Sequence, residues 1–229
     1  MSPAKRPESP LLVVIAGPNG SGKTEFTQKA LRHEWLRGCK YVNPDEIANE
    51  LFGDWNDQKA VLAAVQHAER IRLDCLTQRR SLAFETVFSI QEKLDFVQNA
   101  KSAGFFVRFF FIGTDTPQIN AARIAKRVEQ GGHDVPIRKI VSRYYKSMAN
   151  LAQVLPLVDR GYVYDNSVDD AFAALQFRTV NSQIKKVYAR DHDWAEMART
   201  ATARNCAAAA GKAAHDFFNA SRKDIALDG

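Results

Sequence analysis

A glycine-rich segment near the start of the chain has the residue types and spacing of a phosphate-binding loop. Residues 17–24 read Gly-Pro-Asn-Gly-Ser-Gly-Lys-Thr, which matches G-x-x-x-x-G-K-[ST] at every fixed position. Glycines let the backbone curl so that successive N–H groups point at phosphate oxygens, and the N-terminus of a following helix adds partial positive charge. In such a loop Lys23 bridges the β- and γ-phosphates of a nucleotide, and the Thr24 hydroxyl binds Mg²⁺. The predicted nucleotide-binding residues of this loop are Gly17, Pro18, Asn19, Gly20, Ser21, Gly22, Lys23 and Thr24.

The segments around this loop predict an α/β fold. The apolar run 11–15 precedes the loop and a stretch with helical spacing follows it as far as Arg37, so strand, loop and helix come in the required order. Further apolar stretches alternate with helical patterns, which indicates βαβ units and a short parallel sheet flanked by helices. Both sets of alternate residues in Phe105–Ile112 are largely apolar, so this strand is predicted to be central and its phenylalanines to be core rather than a base-stacking platform. The predicted strands cover 11–15, 40–43, 82–88, 105–112 and 161–164.

The composition divides the chain into three parts. Residues 1–10, rich in proline, serine and charge, are predicted to be a flexible arm, and 11–190 to be the nucleotide-binding domain. Within it, 175–180 and 183–188 are predicted to form a terminal hairpin. Residues 191–229 are predicted to be an alanine-rich helical tail, which either packs on the domain or on a second subunit, or binds a partner or nucleic acid.

Cysteine usage, apolar runs and net charge narrow the class of protein. Cys39, Cys75 and Cys206 form no C-x-x-C pair, which argues against a disulfide framework or a sulfur-ligated metal and favours the reducing cytoplasm. No apolar run approaches the roughly 20 residues that span a bilayer, so no membrane association is expected. A net charge of +6 is compatible with an anionic substrate or with weak attraction to nucleic acid.

Missing motifs separate the classes of P-loop protein. The chain has no [NT]-K-x-D guanine-reading motif, which disfavours a GTPase, and no apolar strand that ends in paired carboxylates, as a motor or transport ATPase would need. A small kinase remains, in which ATP donates its γ-phosphoryl group to a hydroxyl of a second substrate. The fold prediction is therefore a P-loop kinase core with a helical C-terminal extension.

Two strand ends carry candidate residues for the acceptor hydroxyl. Asp45 follows the second predicted strand, where a carboxylate at the sheet edge can accept the hydroxyl proton as a general base. The alternative is ordinary helix-start chemistry, because acidic residues after Pro44 favour a helix N-terminus. Glu85 and Thr86 end the third strand and are predicted to bind a polyhydroxyl substrate, with a solvated strand end as the alternative.

A basic helix after the fourth strand has the pattern of a lid. Arg123 and Arg127 lie four residues apart, so they share a helical face, and Gly131-Gly132 follows as a joint. Arginines that close on phosphates strongly stabilise the transition state, and Arg127 is the stronger candidate for that catalytic role. A solvated basic stripe is the alternative. His133 either contacts phosphate or caps the turn.

Four motifs in order resemble the zeta toxin family. They are the phosphate-binding loop, Asn-Pro-Asp-Glu-Ile-Ala at 43–48, Phe-Glu-Thr-Val-Phe-Ser at 84–89, and Gly-Gly-His-Asp-Val-Pro with the following Lys139-Ile140 through Asn150-Leu151. The likeness covers roughly residues 11–166.

The resemblance implies a P-loop kinase that uses ATP and Mg²⁺ to phosphorylate a hydroxyl of the amino sugar in UDP-N-acetylglucosamine, and a protein antitoxin that blocks the nucleotide site. By motif, Asp45 matches the catalytic aspartate, Glu85 and Thr86 the substrate-binding strand end, and Arg127 a lid arginine. The second lid arginine falls near His133 or Arg138.

Two other functions stay open. One is a kinase of another hydroxylic metabolite, such as a nucleotide or an antibiotic. The other is a non-catalytic, ATP-switched module that binds nucleic acid or protein. Asp45 at the rim of the loop and the lack of paired carboxylates favour a kinase, and nucleic acid is not the expected partner.

Overall fold

The computed structural model describes residues 9–30, 36, 38–44, 46–48, 58–131, 134–189 and 192–208. The candidate residues Asp45 and His133 lie outside the described residues. The remaining candidates lie within them.

A seven-stranded sheet forms the centre of the molecule, in the order β2-β3-β1-β4-β5-β6-β7. The strands from β2 to β5 in this order are parallel, and β6 and β7 continue the sheet antiparallel as a hairpin. The predicted α/β fold and the terminal hairpin are therefore confirmed. The strands are β1 (Leu11–Ala16), β2 (Lys40–Val42), β3 (Leu82–Thr86), β4 (Phe106–Gly113), β5 (Arg160–Asp165), β6 (Ala174–Val180) and β7 (Gln183–Val187).

Helices connect the parallel strands, as crossovers between parallel strands require. Residue 44 and residues 46–48 are also helical. The longer helices are α1 (Lys23–Ala30), α2 (Gln58–Thr77), α3 (Gln91–Ser102), α4 (Pro117–Glu129), α5 (Ile137–Val154) and α6 (193–208), with a 3₁₀ turn at Leu155–Leu157.

The two faces of the sheet have separate cores. On one face α2, α3, α5 and α6 bury Leu12, Phe84 and Phe109. The other face carries Val13 and Phe110 and receives Phe26 of α1. Alternation along each strand produces this division, because successive side chains point to opposite faces.

The central position predicted for the Phe105–Ile112 strand is confirmed, since β4 has three strands on either side. Phe105, Phe109 and Phe111 are fully buried core residues, as expected. Phe106 lies on the opposite face, as the alternation of side chains along a strand requires, and it is half-buried.

Helix α6 packs on the domain through its first turns. Trp194, Ala195 and Ala198 belong to the larger core, and the Trp194 ring lies 6.2 Å from the Phe111 ring. Trp194 covers Gly113, where any Cβ would overlap its ring. Burial of this indole stabilises the packing of α6, because truncation of a large buried aromatic side chain to alanine typically costs about 3–5 kcal/mol.

None of the helices in the described part of the chain has both the length and the apolar character needed to cross a membrane.

Candidate active site

The phosphate-binding loop is held in a narrow cradle at the carboxyl end of β1. Gly20 and Gly22 have φ of +76° and +88°, a conformation that favours glycine. A Cβ at Gly20 would lie 2.6 Å from the Asn120 carbonyl oxygen, and one at Gly22 would overlap the Asn166 amide. The loop therefore requires glycine at both positions, for conformation and for space.

Lys23 begins α1 and folds back over the loop. Its Nζ donates to the Pro18 carbonyl oxygen at 2.8 Å. Burial lowers the pKa of Lys23 to about 8, the Glu85 carboxylate opposes that shift, and the Arg127 guanidinium adds to it. A cation held in this way is poised to bind an anion, because an incoming phosphate replaces its lost hydration.

Glu85 lies next to the phosphate-binding loop, and the substrate role predicted for it stays a prediction. Its register partner is Ile15, so β3 carries it to the end of β1. Thr24 Oγ1 donates to Glu85 Oε2 at 3.4 Å and Tyr41 OH donates to Glu85 Oε1 at 2.9 Å. Burial and the neighbouring Glu85 charge raise the pKa of Tyr41, so its hydroxyl remains a donor. The Thr24 hydroxyl and the Glu85 carboxylate therefore lie side by side, and both are oxygen ligands of the kind that Mg²⁺ binds.

Thr86 supports the loop through its own backbone and hydroxyl. Its carbonyl oxygen accepts from the Gly17 N–H at 3.3 Å, and its Oγ1 accepts from the Phe88 N–H at 3.1 Å. The substrate role predicted for Thr86 stays a prediction.

The two arginines that the sequence analysis selected on α4 have different surroundings. Arg123 is tied to the loop after β5, since Nη1 donates to the Asn166 carbonyl oxygen at 2.7 Å and Nη2 pairs with Asp169 at 2.6 Å. Arg127, one turn further along α4, lies close enough to Lys23 to lower its pKa. The structure therefore places the Arg127 charge near Lys23 and joins Arg123 to the loop after β5.

Asn166 connects the loop after β5 to the phosphate cradle. Its Nδ2 donates to the Ser21 carbonyl oxygen at 2.9 Å, and its backbone N–H donates to the Gly113 carbonyl oxygen at 2.9 Å. The residue holds three elements together, the cradle, the end of β4 and α4 through Arg123. No motif in the sequence distinguishes this asparagine.

Arg143 is a further cation at the cradle that the sequence analysis did not select. Its Nη1 donates to Asn19 Oδ1 at 3.3 Å across 124 residues of sequence. Ser147 donates to the Val87 carbonyl oxygen and Asn150 to the Phe88 carbonyl oxygen, which fixes α5 against the loop after β3. The sequence contained a signal for Arg143, because residues 143, 147 and 150 of the fourth motif share one helical face.

His192 lies between two carboxylates at the start of α6. Its Nδ1 is 2.8 Å from Asp115 and its Nε2 is 3.2 Å from Asp165. Asp165 also accepts from Trp194 Nε1 at 2.9 Å and from Ser167 Oγ at 2.7 Å. Although these residues could approach one metal ion, the two ring nitrogens face different carboxylates. The group is therefore an anchor for α6, and the sequence analysis missed it because the spacing of the three residues is not ligand-like.

Two adjoining cavities open beside Gly22. One, of about 580 Å³, is bordered by Arg123, Lys126 and Arg127 of α4 and by residues 168–172. The other, of about 380 Å³, is more apolar and is lined by Phe26, Phe110 and Tyr164 among others. Sizes of several hundred Å³ suit a small-molecule ligand.

The pKa of Lys23 predicts a pH dependence of nucleotide binding. A bound anion favours the charged form of Lys23. Below pH 8 the Lys23 amine already carries its proton, whereas above pH 8 it must take up a proton when the anion binds. Apparent affinity for ATP should therefore fall as the pH rises from 8 to 9, by up to about tenfold. Calorimetry at pH 7, 8 and 9 measures it. Lys23→Arg keeps its charge throughout and should show no such fall, whereas equal pH dependence in both proteins would contradict the assignment.

The fold and this cradle define the class of P-loop proteins with a kinase-like fold. Residues 12–150, more than half of the chain, match the AAA_33 family, an AAA domain, and the chain belongs to that family. An uncharacterized protein of Haemophilus influenzae is 28% identical over 135 residues, which cover 58% of this chain and 91% of that protein.

Solved structures share the fold at low sequence identity. A chain of the AvrRxo1-ORF1:AvrRxo1-ORF2 complex with sulphate ions superposes with a TM-score of 0.63 at 18% identity, over 85% of this chain and 64% of that one. The chain therefore spans slightly less than two thirds of the length of that relative. The same complex has also been solved with ATP, with a TM-score of 0.62. A chain of the PezAT chromosomal toxin-antitoxin system of Streptococcus pneumoniae gives 0.55 at 16% identity, over 75% of this chain and 74% of that one.

Proposed function

We propose that the protein is an ATP-dependent kinase that transfers the γ-phosphoryl group to a hydroxyl of a small anionic metabolite. The observation that supports it most is the convergence of Lys23, Thr24 and Glu85 at one cradle, with Arg127 and Arg143 beside it. Phosphoryl transfer depends on positioning and on stabilisation of charge, and these groups supply both.

The loop residues fit a triphosphate with Mg²⁺. The glycine positions let the loop approach Asn120 and Asn166 without side-chain overlap, and Lys23 lies over the loop. Thr24 and Glu85 would hold Mg²⁺, which when bound neutralises phosphate charge. Arg127 and Arg143 would bind phosphate oxygens from α4 and α5, because guanidinium groups match their geometry. We therefore assign the role of the second lid arginine, which the zeta toxin resemblance implies, to Arg143 instead of Arg138 or His133.

Asp45 is proposed as the general base. The segment that contains it begins beside Glu85, since Asn43 Nδ2 donates to Tyr41 OH at 3.4 Å and Tyr41 donates to Glu85. Asn43 follows β2 at the same edge of the sheet as the cradle, and we assign Asp45, two residues further along the chain, to act at that edge. A base there orients the attacking hydroxyl and accepts its proton.

The acceptor is proposed to carry phosphate of its own. Lys139, Arg143 and Lys146 recur at helical spacing on the side of α5 that holds Arg143 at the cradle. A nucleotide-sugar such as UDP-N-acetylglucosamine, the acceptor implied by the zeta toxin resemblance, combines phosphate with free hydroxyls. The complexes formed by the structural relatives support an antitoxin-like protein partner, and free Cys39, Cys75 and Cys206 are consistent with the proposed cytoplasmic location.

Acceptor identity can be tested directly. Purified protein with Mg-ATP is offered UDP-N-acetylglucosamine or a metabolite extract, and new phosphorylated species are sought by mass spectrometry. We expect one new phosphate on the sugar nucleotide, and a roughly 100-fold lower rate with Asp45→Asn, the lower end of the range for general base catalysis.

Asp74→Asn, an exposed aspartate on α2, is the matched control and should leave the rate unchanged. Unchanged turnover with Asp45→Asn would remove this residue from the base role. Phosphorylation of a different compound in the extract would support the proposed kinase activity and replace the proposed acceptor.

A further inference from the structure

A basic and aromatic patch covers the half of the sheet farthest from Glu85. In register, Phe110 pairs with Tyr162, Tyr162 with Arg178, and Arg178 with Lys186, so these side chains share one face. Lys186 Nζ lies 4.6 Å from the centre of the Tyr188 ring, which places Tyr188 beside Lys186. The strand patch, as we call it, comprises Phe106, Arg160, Tyr162, Arg178, Lys186 and Tyr188.

The main contacts of β5, β6 and β7 among the described residues are with neighbouring strands. Helix α1 covers the neighbouring region, where Phe26 contacts Phe110 and Tyr164. The large helical layer lies on the opposite face, where Phe177 of β6 is buried. Lys186 and Tyr188 are exposed, with Tyr188 at 44%, and the other members of the patch are half-buried.

The cations of the strand patch have no acidic partner in the described part of the chain. Arg160 lies over the Phe106 ring at 5.9 Å and Lys186 over the Tyr188 ring at 4.6 Å. Arg178 Nε is buried without a hydrogen-bond partner there. The face therefore presents positive charge and aromatic rings together, with no carboxylate on the adjacent strand positions of β5, β6 and β7 that share it.

We propose that the strand patch binds single-stranded nucleic acid. Phosphates would bind the three cations, and unstacked bases would contact the tyrosine rings, a combination that suits single strands. An acidic peptide would use the charge but not the rings, and a flat sheet cannot enter the groove of a duplex. Four strands span about 14 Å, which suffices for a few nucleotides. Net charge alone did not predict this partner, because the sequence does not show that these cations cluster.

Fluorescence anisotropy of a labelled 15-nucleotide oligo(dT) measures the proposed binding on the full chain. Three phosphate contacts predict a slope of log affinity against log salt of about −2 for a single strand. The variant Arg160→Ala/Arg178→Ala/Lys186→Ala should weaken binding at least tenfold at low salt and bring the slope close to zero. The control Arg70→Ala/Arg80→Ala/Arg204→Ala removes the same charge from exposed sites elsewhere and should retain affinity.

Two single variants separate the contributions of charge and of aromatic rings to binding. Lys186→Glu changes an exposed side chain, so it reports on charge even if the triple variant unfolds. Tyr188→Leu should weaken oligo(dT) at least fivefold while leaving polyphosphate, which has no bases, unaffected.

Three results would overturn the proposal. The first is equal affinity of the patch variant and its control for oligo(dT). The second is displacement of oligo(dT) by saturating Mg-ATP, which would locate the strand at the nucleotide site. The third is an affinity for poly-glutamate equal to that for oligo(dT). Phosphoryl transfer by the patch variants should be normal, so this proposal and the kinase proposal fail separately.

Discussion

Replacement of Lys23 by alanine is expected to lower the rate of phosphoryl transfer by about 10³-fold, the upper range for the loss of one group that stabilises transition-state charge. Lys23 Nζ lies over the loop, bonded to the Pro18 carbonyl oxygen, and burial has already removed much of its hydration. An alanine leaves the cradle without its cation while the glycine backbone persists. Steady-state kinetics with the acceptor, together with calorimetry of ATP binding, measure the effect.

Lys185→Ala is the matched control, since this exposed lysine lies on β7 away from the cradle. Its kinetics should equal those of the unaltered protein, and both variants should unfold at the same temperature. Normal kinetics for Lys23→Ala would show that residues 17–24 do not bind the reacting phosphates.

Replacement of Arg127 by alanine should have an effect of similar size, about 10³-fold on kcat, the lower range for an arginine that stabilises phosphoryl transfer. Its guanidinium lies near Lys23, whereas Arg123 on the preceding turn is held by Asp169 and Asn166. The arginine contributes only when charge develops on the phosphoryl group, so ATP affinity should fall much less than kcat.

Arg123→Ala separates the two positions on the same helix. Since Arg123 acts on the position of α4 through its protein partners, its loss should raise the KM for ATP more than it lowers kcat. The reverse pattern, with kcat lost in Arg123→Ala and retained in Arg127→Ala, would exchange their roles.

Local patterns predicted the elements of the fold well. The β1–loop–α1 unit, the central position of β4 and the β6–β7 hairpin follow from apolar alternation and glycine placement over short windows, where sequence spacing determines which side chains share a face. The third strand ends at Thr86 instead of Phe88, because the Thr86 hydroxyl binds the Phe88 N–H and Phe88 adopts φ of +58°, which breaks the extended backbone.

Contacts between distant segments were harder to predict. Glu85 reaches Thr24 across 61 residues, and Arg143 reaches Asn19 across 124. Such pairs depend on strand order and on helix placement, which periodicity does not specify. The sequence also left open where the tail packs, because Trp194 is received by the distant Gly113, whose missing side chain leaves the space for the indole.

A crystal structure with Mg²⁺ and a non-hydrolysable ATP analogue tests the central claim most directly. The account predicts a γ-phosphate in contact with Lys23 and Arg127, and a metal ion held at the Thr24 hydroxyl and the Glu85 carboxylate. A triphosphate bound elsewhere, with Glu85 still bonded to Tyr41 and no metal at Thr24, would contradict it.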